Sequence, residues 1–178
     1  MSRLQQFLYG VRDSIPMIVG ILPFGLIYGA LASLAGLSLG QAIGMSLLVY
    51  AGSAQFIAIS LLTLGSGALV ILLTTLVVNL RHVLYSAALQ PYVGRLSQRW
   101  RVPLAFGLTD ETFAVVQRRY LARGMTEYGQ WYHAGVALAL YLSWVSSSLV
   151  GALFGQSVPN LAGWGLDFAM LATFIGIV

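Results

Sequence analysis

From Ser14 to Leu80 the chain carries no Asp, Glu, Lys, Arg or His. An α-helix rises ~1.5 Å per residue, and ~20 apolar residues cross the ~30 Å of a bilayer's hydrocarbon core. The stretch is long enough for three passes, or for two passes and a segment that dips in and returns. No soluble core of a 178-residue chain needs such a run. The pattern predicts a first helix over about Ile15–Gly36, marked as kinked by Pro16 and Pro23, behind a polar leader, Met1–Asp13. It predicts a second over about Leu39–Leu64, with Gly65-Ser66-Gly67 as its turn, and a third over about Ala68–Tyr92. An Arg-bearing loop, Arg95–Arg101, precedes a short apolar piece, Val102–Gln117, which Asp110-Glu111 interrupts. A second polar loop, Arg118–Gln130, leads to a fifth helix over about Trp131–Phe154, with Trp131 and Tyr132 placed as interfacial anchors. Val158-Pro159-Asn160 breaks the chain before a sixth apolar segment, Leu161–Val178. The expected fold is all-α: a polytopic integral membrane protein of about six hydrophobic segments, at least one broken or re-entrant. Residues 14–178 form one membrane domain behind the leader 1–13. The last segment stops in mid-apolar sequence, so a continuation of the chain or a partner over its end is expected.

Composition sharpens this picture. Hydrophobic residues make up 58% and charged residues 8%, against ~25% charged in a soluble domain. Each charge position is therefore informative. All nine basic residues are Arg, and the net charge is +4. The Arg residues sit in short loops between apolar segments, which fits cytoplasmic anchoring beside anionic lipid and not nucleic-acid binding. The absence of Cys excludes disulfides, thiolate metal sites and thiol nucleophiles. Simple crossings would put Arg95–Arg101 and Arg118–Arg123 on opposite faces, although both are Arg-rich. A re-entrant Val102–Gln117, only ~24 Å long as a helix, resolves the conflict.

Three constellations carry candidate chemistry. Asp110 and Glu111 follow Thr109, a residue suited to capping, so the two acids fall in a first helical turn that favours negative charge. They either stabilise that helix start or form a cation, ammonium or proton site at a discontinuous helix. Arg81-His82 interrupts an apolar segment. Arg81 either snorkels to an interface, pairs with Asp110 or Glu111, or receives a carboxylate. His82 either relays protons or is simply hydrogen-bonded, and Asn79 lies one turn away on the same helical face. Tyr50-Ala51-Gly52-Ser53-Ala54-Gln55-Phe56 lies in mid-segment. Its small residues permit close helix packing, or an unwound stretch with Ser53 and Gln55 facing a ligand. No phosphate-binding loop, Gly-x-Ser-x-Gly motif or metalloenzyme spacing is present, so neither ATP drive, enzymatic catalysis nor a cofactor is expected.

Taken together, these motifs resemble the AzlC-like family, the large subunits of bacterial branched-chain amino acid exporters. Asp13-Ser14-Ile15-Pro16, Tyr50-Ala51-Gly52-Ser53-Ala54-Gln55-Phe56, Arg81-His82-Val83-Leu84-Tyr85 and Phe106-Gly107-Leu108-Thr109-Asp110-Glu111 carry the likeness, in order, from about residue 10 to residue 175. The resemblance implies export of leucine, isoleucine, valine and in some cases methionine. It implies dependence on the proton motive force and a small AzlD-like membrane partner. The family's usual chain continues through further membrane segments.

The expected binding residues are Tyr50, Gly52, Ser53, Gln55, Asn79, Arg81, Thr109 and Asp110, with Asp110, Glu111 and His82 for proton coupling. A zwitterion at membrane depth needs a partner for each charge, because an unpaired buried charge is far costlier than a paired one. The substrate carboxylate would meet Arg81 or amides freed near Gly52-Ser53, and the ammonium would meet Asp110 or Glu111. The rival expectation is a membrane scaffold whose polar residues only lock helices together.

Overall fold

The computed structural model describes residues 1–157, and these are helical throughout apart from turns and caps. The predicted sixth segment, Leu161–Val178, lies outside the described residues. In chain order the helices are α1 (Arg3–Leu34), α2 (Leu39–Leu48), α3 (Gly52–Thr63), α4 (Ala68–Asn79), α5 (Arg81–Val93), α6 (Gln98–Phe106), α7 (Asp110–Arg123) and α8 (Gly129–Ser157). By length and composition α1, α4 with α5 (Ala68–Val93), and α8 can each cross a membrane.

The polar leader is not separate from the first apolar segment. α1 starts at Arg3 and continues through both Pro16 and Pro23. Each of the next three predicted segments is divided in two. The second breaks at Tyr50, which takes a left-handed φ of 38°, and restarts after Ala51 in extended backbone. The third breaks at Leu80 and the fourth at Gly107–Thr109. Helix also extends into both predicted polar loops: Arg99 and Arg101 lie on α6, and Arg118, Arg119 and Arg123 lie on α7. The physical reason in α7 is a buried stripe at four-residue spacing, Thr112, Val116 and Tyr120, which lets the basic residues ride outside a continuing helix.

Local chemistry fixes the turns. Ser38 caps α2 in a reciprocal box with Gln41. Gly36 and Gly65 end α1 and α3 with φ of 82° and 71°. The amides of Leu37 and Ser66 reach back to the carbonyls of Ala32 and Leu61, the arrangement that closes a helix on a left-handed residue.

The chain forms two compact units. The first comprises Met1–Gly20 and Leu80–Ser143, thus the start of α1, α5 to α7 and the first half of α8. There Gly10 of α1 and Gly135 of α8 sit against opposing backbone, at Tyr132 and Phe7, and leave no room for a Cβ. The second comprises Ile21–Asn79 and the chain from Trp144. Within it Gly25 and Gly29 of α1 abut Ser147 and Ser148, and Gly151 and Gly155 of α8 abut Leu26 and Ala30. Small residues four apart let two helix backbones touch, which is how helices associate where lipid removes the hydrophobic drive. In the same unit α3 and α4 pack as a hairpin around Gly65–Gly67. α4 buries none of its residues.

Candidate functional site

In the first unit, the starts of α5 and α7 come together. Thr109 adopts extended backbone and its hydroxyl accepts from the Thr112 amide, so α7 begins at Asp110 with Asp110 and Glu111 in its first turn. Helix-dipole and unpaired amides favour negative charge there. The guanidinium of Arg81, first residue of α5, lies 2.9 Å from Asp110 Oδ2. The Tyr85 hydroxyl donates to Asp110 Oδ1 at 2.5 Å. Both carboxylate oxygens are thus engaged, one by a cation and one by a phenol. The Arg81 side chain is 17% exposed and that of Asp110 41%, so the pair is only partly shielded from its surroundings. Glu111 is held separately, by the Thr109 hydroxyl at 2.9 Å.

An aromatic wall backs the pair. Tyr85 stacks on Phe113 with centroids 4.4 Å apart, and His82 meets Tyr85 edge-on at 5.8 Å. His82 therefore reaches Asp110 through the ring that hydrogen-bonds it. Of the residues expected from sequence, the structure brings Arg81, Thr109, Asp110, Glu111 and His82 into one cluster. Tyr85 joins them, although its residue type alone did not single it out; its signal was its place in Arg81-His82-Val83-Leu84-Tyr85, one helical turn beyond Arg81.

Tyr50, Gly52, Ser53, Gln55 and Asn79 belong to the second unit. Asn79 ends α4, and Tyr50 and Ser53 are buried. Gln55 is fully buried, accepts from Trp144 Nε1 at 2.9 Å and donates to Ser46 Oγ at 3.2 Å. Trp144 also stacks on Tyr28, whose hydroxyl donates to the Ala42 carbonyl. A Cβ on Gly52 would press on the Trp144 ring at 2.9 Å. Both ends of the Gln55 amide are thus bound within the protein, and Gly52 makes room for the indole that holds one of them.

Sequence reasoning also missed a network in the first unit. Tyr132 donates to Asp13 at 2.9 Å, Arg119 stacks over the Tyr132 ring at 4.4 Å, and Arg119 donates to the buried Gln6 at 2.9 Å. The same unit holds His133, 2% exposed. The signal for it was periodicity: His133, Val136, Leu140 and Trp144 recur at helical spacing along α8 and all are buried.

Fold and site together define a class: a multi-pass α-helical membrane protein with charged residues where helices begin, Arg81 at α5 and Asp110-Glu111 at α7. Within that class the chain belongs to the AzlC family, whose profile, AzlC protein, matches residues 16–158. It is 31% identical over 177 residues to the inner membrane protein YgaZ of Escherichia coli K12, covering 97% of this chain and 71% of that one. It is 32% identical over 178 residues to an uncharacterized membrane protein of Helicobacter pylori 26695, covering 97% and 75%. The branched-chain amino acid transport protein AzlC of Bacillus subtilis 168 is 34% identical over 166 residues, covering 92% of this chain and 63% of that one. No solved structure matches the chain.

Proposed function

We propose that the chain is the large subunit of a secondary transporter that exports branched-chain amino acids, leucine, isoleucine and valine, with methionine as a further substrate. Family membership and the name of the Bacillus relative support the substrate class. The observation that carries the mechanism is the Arg81–Asp110 ion pair. A zwitterion carries the same two charges as that pair and can substitute for each half. The substrate carboxylate takes the place of Asp110 at Arg81, and the ammonium takes the place of Arg81 at Asp110. No charge is left uncompensated during the exchange, which is the step a low-dielectric site penalises most. The stacked faces of Tyr85 and Phe113 offer apolar surface to an aliphatic side chain.

Proton coupling runs through Asp110, Glu111 or His82. A small AzlD-like membrane subunit completes the transporter.

Counterflow of labelled leucine, valine and methionine tests this in proteoliposomes of the chain co-expressed with such a subunit. Saturable flux that responds to an imposed proton gradient is expected. If Asp110→Asn and Glu111→Gln each leave flux and its gradient dependence intact, the coupling proposal fails. Flux supported by the small subunit alone would make this chain a scaffold, and unsaturable flux would make the assembly a channel.

A further inference from the structure

Away from the ion pair, the first unit contains a cleft of about 230 Å³ between α5, α6 and the start of α8. Its rim carries the exposed side chains of Gln90, Gln98 and Arg101, and its floor is made by buried Leu89, Leu104 and His133 among others. His133 is the unusual member. Its Nδ1 lies 3.5 Å from the Tyr120 hydroxyl. Its Nε2 is buried and has no hydrogen-bond partner among the described residues. Buried polar atoms almost always have a partner, and His133 is among the residues that line this cleft, so its bare nitrogen calls for a visitor from that side.

The lining restricts what that visitor is. A guanidinium at the rim binds a carboxylate in a planar fork. Leu89 and Leu104 favour a short aliphatic body. At the floor an imidazole nitrogen of either tautomer can take one hydrogen bond, from an ammonium or to an oxygen. The cleft lies below the ~300–1,000 Å³ of sites for drug-sized ligands, which points to a metabolite of a few heavy atoms. An acyl chain would satisfy the leucines and leave Nε2 bare.

We propose that this cleft is a second binding site for an aliphatic α-amino acid, with its carboxylate on Arg101 and its ammonium on His133. The inference rests on the proposed transport of such amino acids. It makes the cleft a waiting site, distinct from the Arg81–Asp110 exchange site and separately removable.

Equilibrium binding of labelled leucine to the purified full chain in nanodiscs reads both sites. Two classes of saturable site are expected. Ala105→Trp, which fills the cleft, should remove one class and leave the other. Arg101→Gln should weaken that same class by at least about tenfold without lowering the melting temperature, which guards against misfolding of the tryptophan variant. Asp110→Asn should remove the other class alone; if it changes neither, the exchange-site reading fails while the cleft stands. A stoichiometry unchanged by both Ala105→Trp and Arg101→Gln overturns the cleft proposal. So does native mass spectrometry that finds an anionic phospholipid lost on Arg101→Gln, with leucine never competing for it.

Discussion

At the scale of single residues, Arg81 and Asp110 answer for each other. Asp110→Asn leaves Arg81 facing a neutral amide. Transport is expected to fall roughly tenfold or more, less than the effect of truncating one member of a fully desolvated charge pair. Stability should fall too, by less than the ~3–5 kcal/mol of a wholly buried pair, because solvent reaches Asp110, which is 41% exposed. The double variant Arg81→Met/Asp110→Leu separates the two roles: thermal unfolding should recover while flux stays lost. Recovery of both would reduce the pair to a helix lock. Tyr85→Phe removes one hydrogen bond to a carboxylate but keeps the stack on Phe113. Flux should drop roughly tenfold or more, since a hydrogen bond to a charged group is worth ~1.5–3 kcal/mol, while melting temperature falls little because solvent reaches the partly exposed Asp110. Gln55 predicts the reverse. Gln55→Ala strands Trp144 Nε1 and Ser46 at about 1–3 kcal/mol each, so melting temperature should fall while the Michaelis constant of the surviving protein holds. Sequence exposed Arg81, Asp110 and Glu111 because charge is rare in apolar runs. Tyr85, Trp144 and His133 stayed hidden because aromatic and imidazole side chains are ordinary there, and only their partners distinguish them. Gln55 was visible as a polar residue, but whether its amide faced a ligand or another side chain depends on a contact 89 positions away.

At the scale of helices, apolar length was legible and continuity was not. Gly36 and Gly65 mark true ends because their backbones need positive φ. The break at Tyr50 leaves hydropathy almost unchanged and so escapes a reading by composition, whereas those at Leu80 and Gly107–Thr109 fall beside Arg81-His82 and Asp110-Glu111, the charges that interrupt their segments. The α6 start and the α7 end were hidden for another reason: their Arg residues read as loop, although the buried stripe of α7 carries helix beneath them. The glycines of α1 and α8 also look alike in sequence but differ in what they touch. A methyl group added at Gly20 would meet nothing within 4 Å, whereas one at Gly29 would meet the backbone of Ser148 and Ala152. Gly20→Ala should therefore be neutral or slightly stabilising, given alanine's ~0.8–1.0 kcal/mol helix advantage. Gly29→Val should sharply reduce the yield of monodisperse protein in size-exclusion chromatography. Equal behaviour of the two variants would mean that close backbone packing is not what joins these helices.

At the scale of the whole molecule, the number of crossings follows from pieces too short to cross alone. α6 and α7 extend ~14 and ~21 Å at ~1.5 Å per residue, against ~30 Å of hydrocarbon. Single cysteines at Arg99 and Arg123, in a chain with no cysteine of its own, should label from the same face of sealed vesicles. Labelling from opposite faces would make α6 and α7 one full pass. The span Ala68–Val93 has a consequence for how the protein is made. It is apolar enough to cross, yet Arg81 stands at its middle, where insertion by the translocon is opposed by ~2.5–3.5 kcal/mol. The acid that neutralises it is synthesised 29 residues later. During biosynthesis the span should therefore linger at the lateral gate until α7 has left the ribosome, and Arg81→Leu should let it enter the bilayer ahead of its partner.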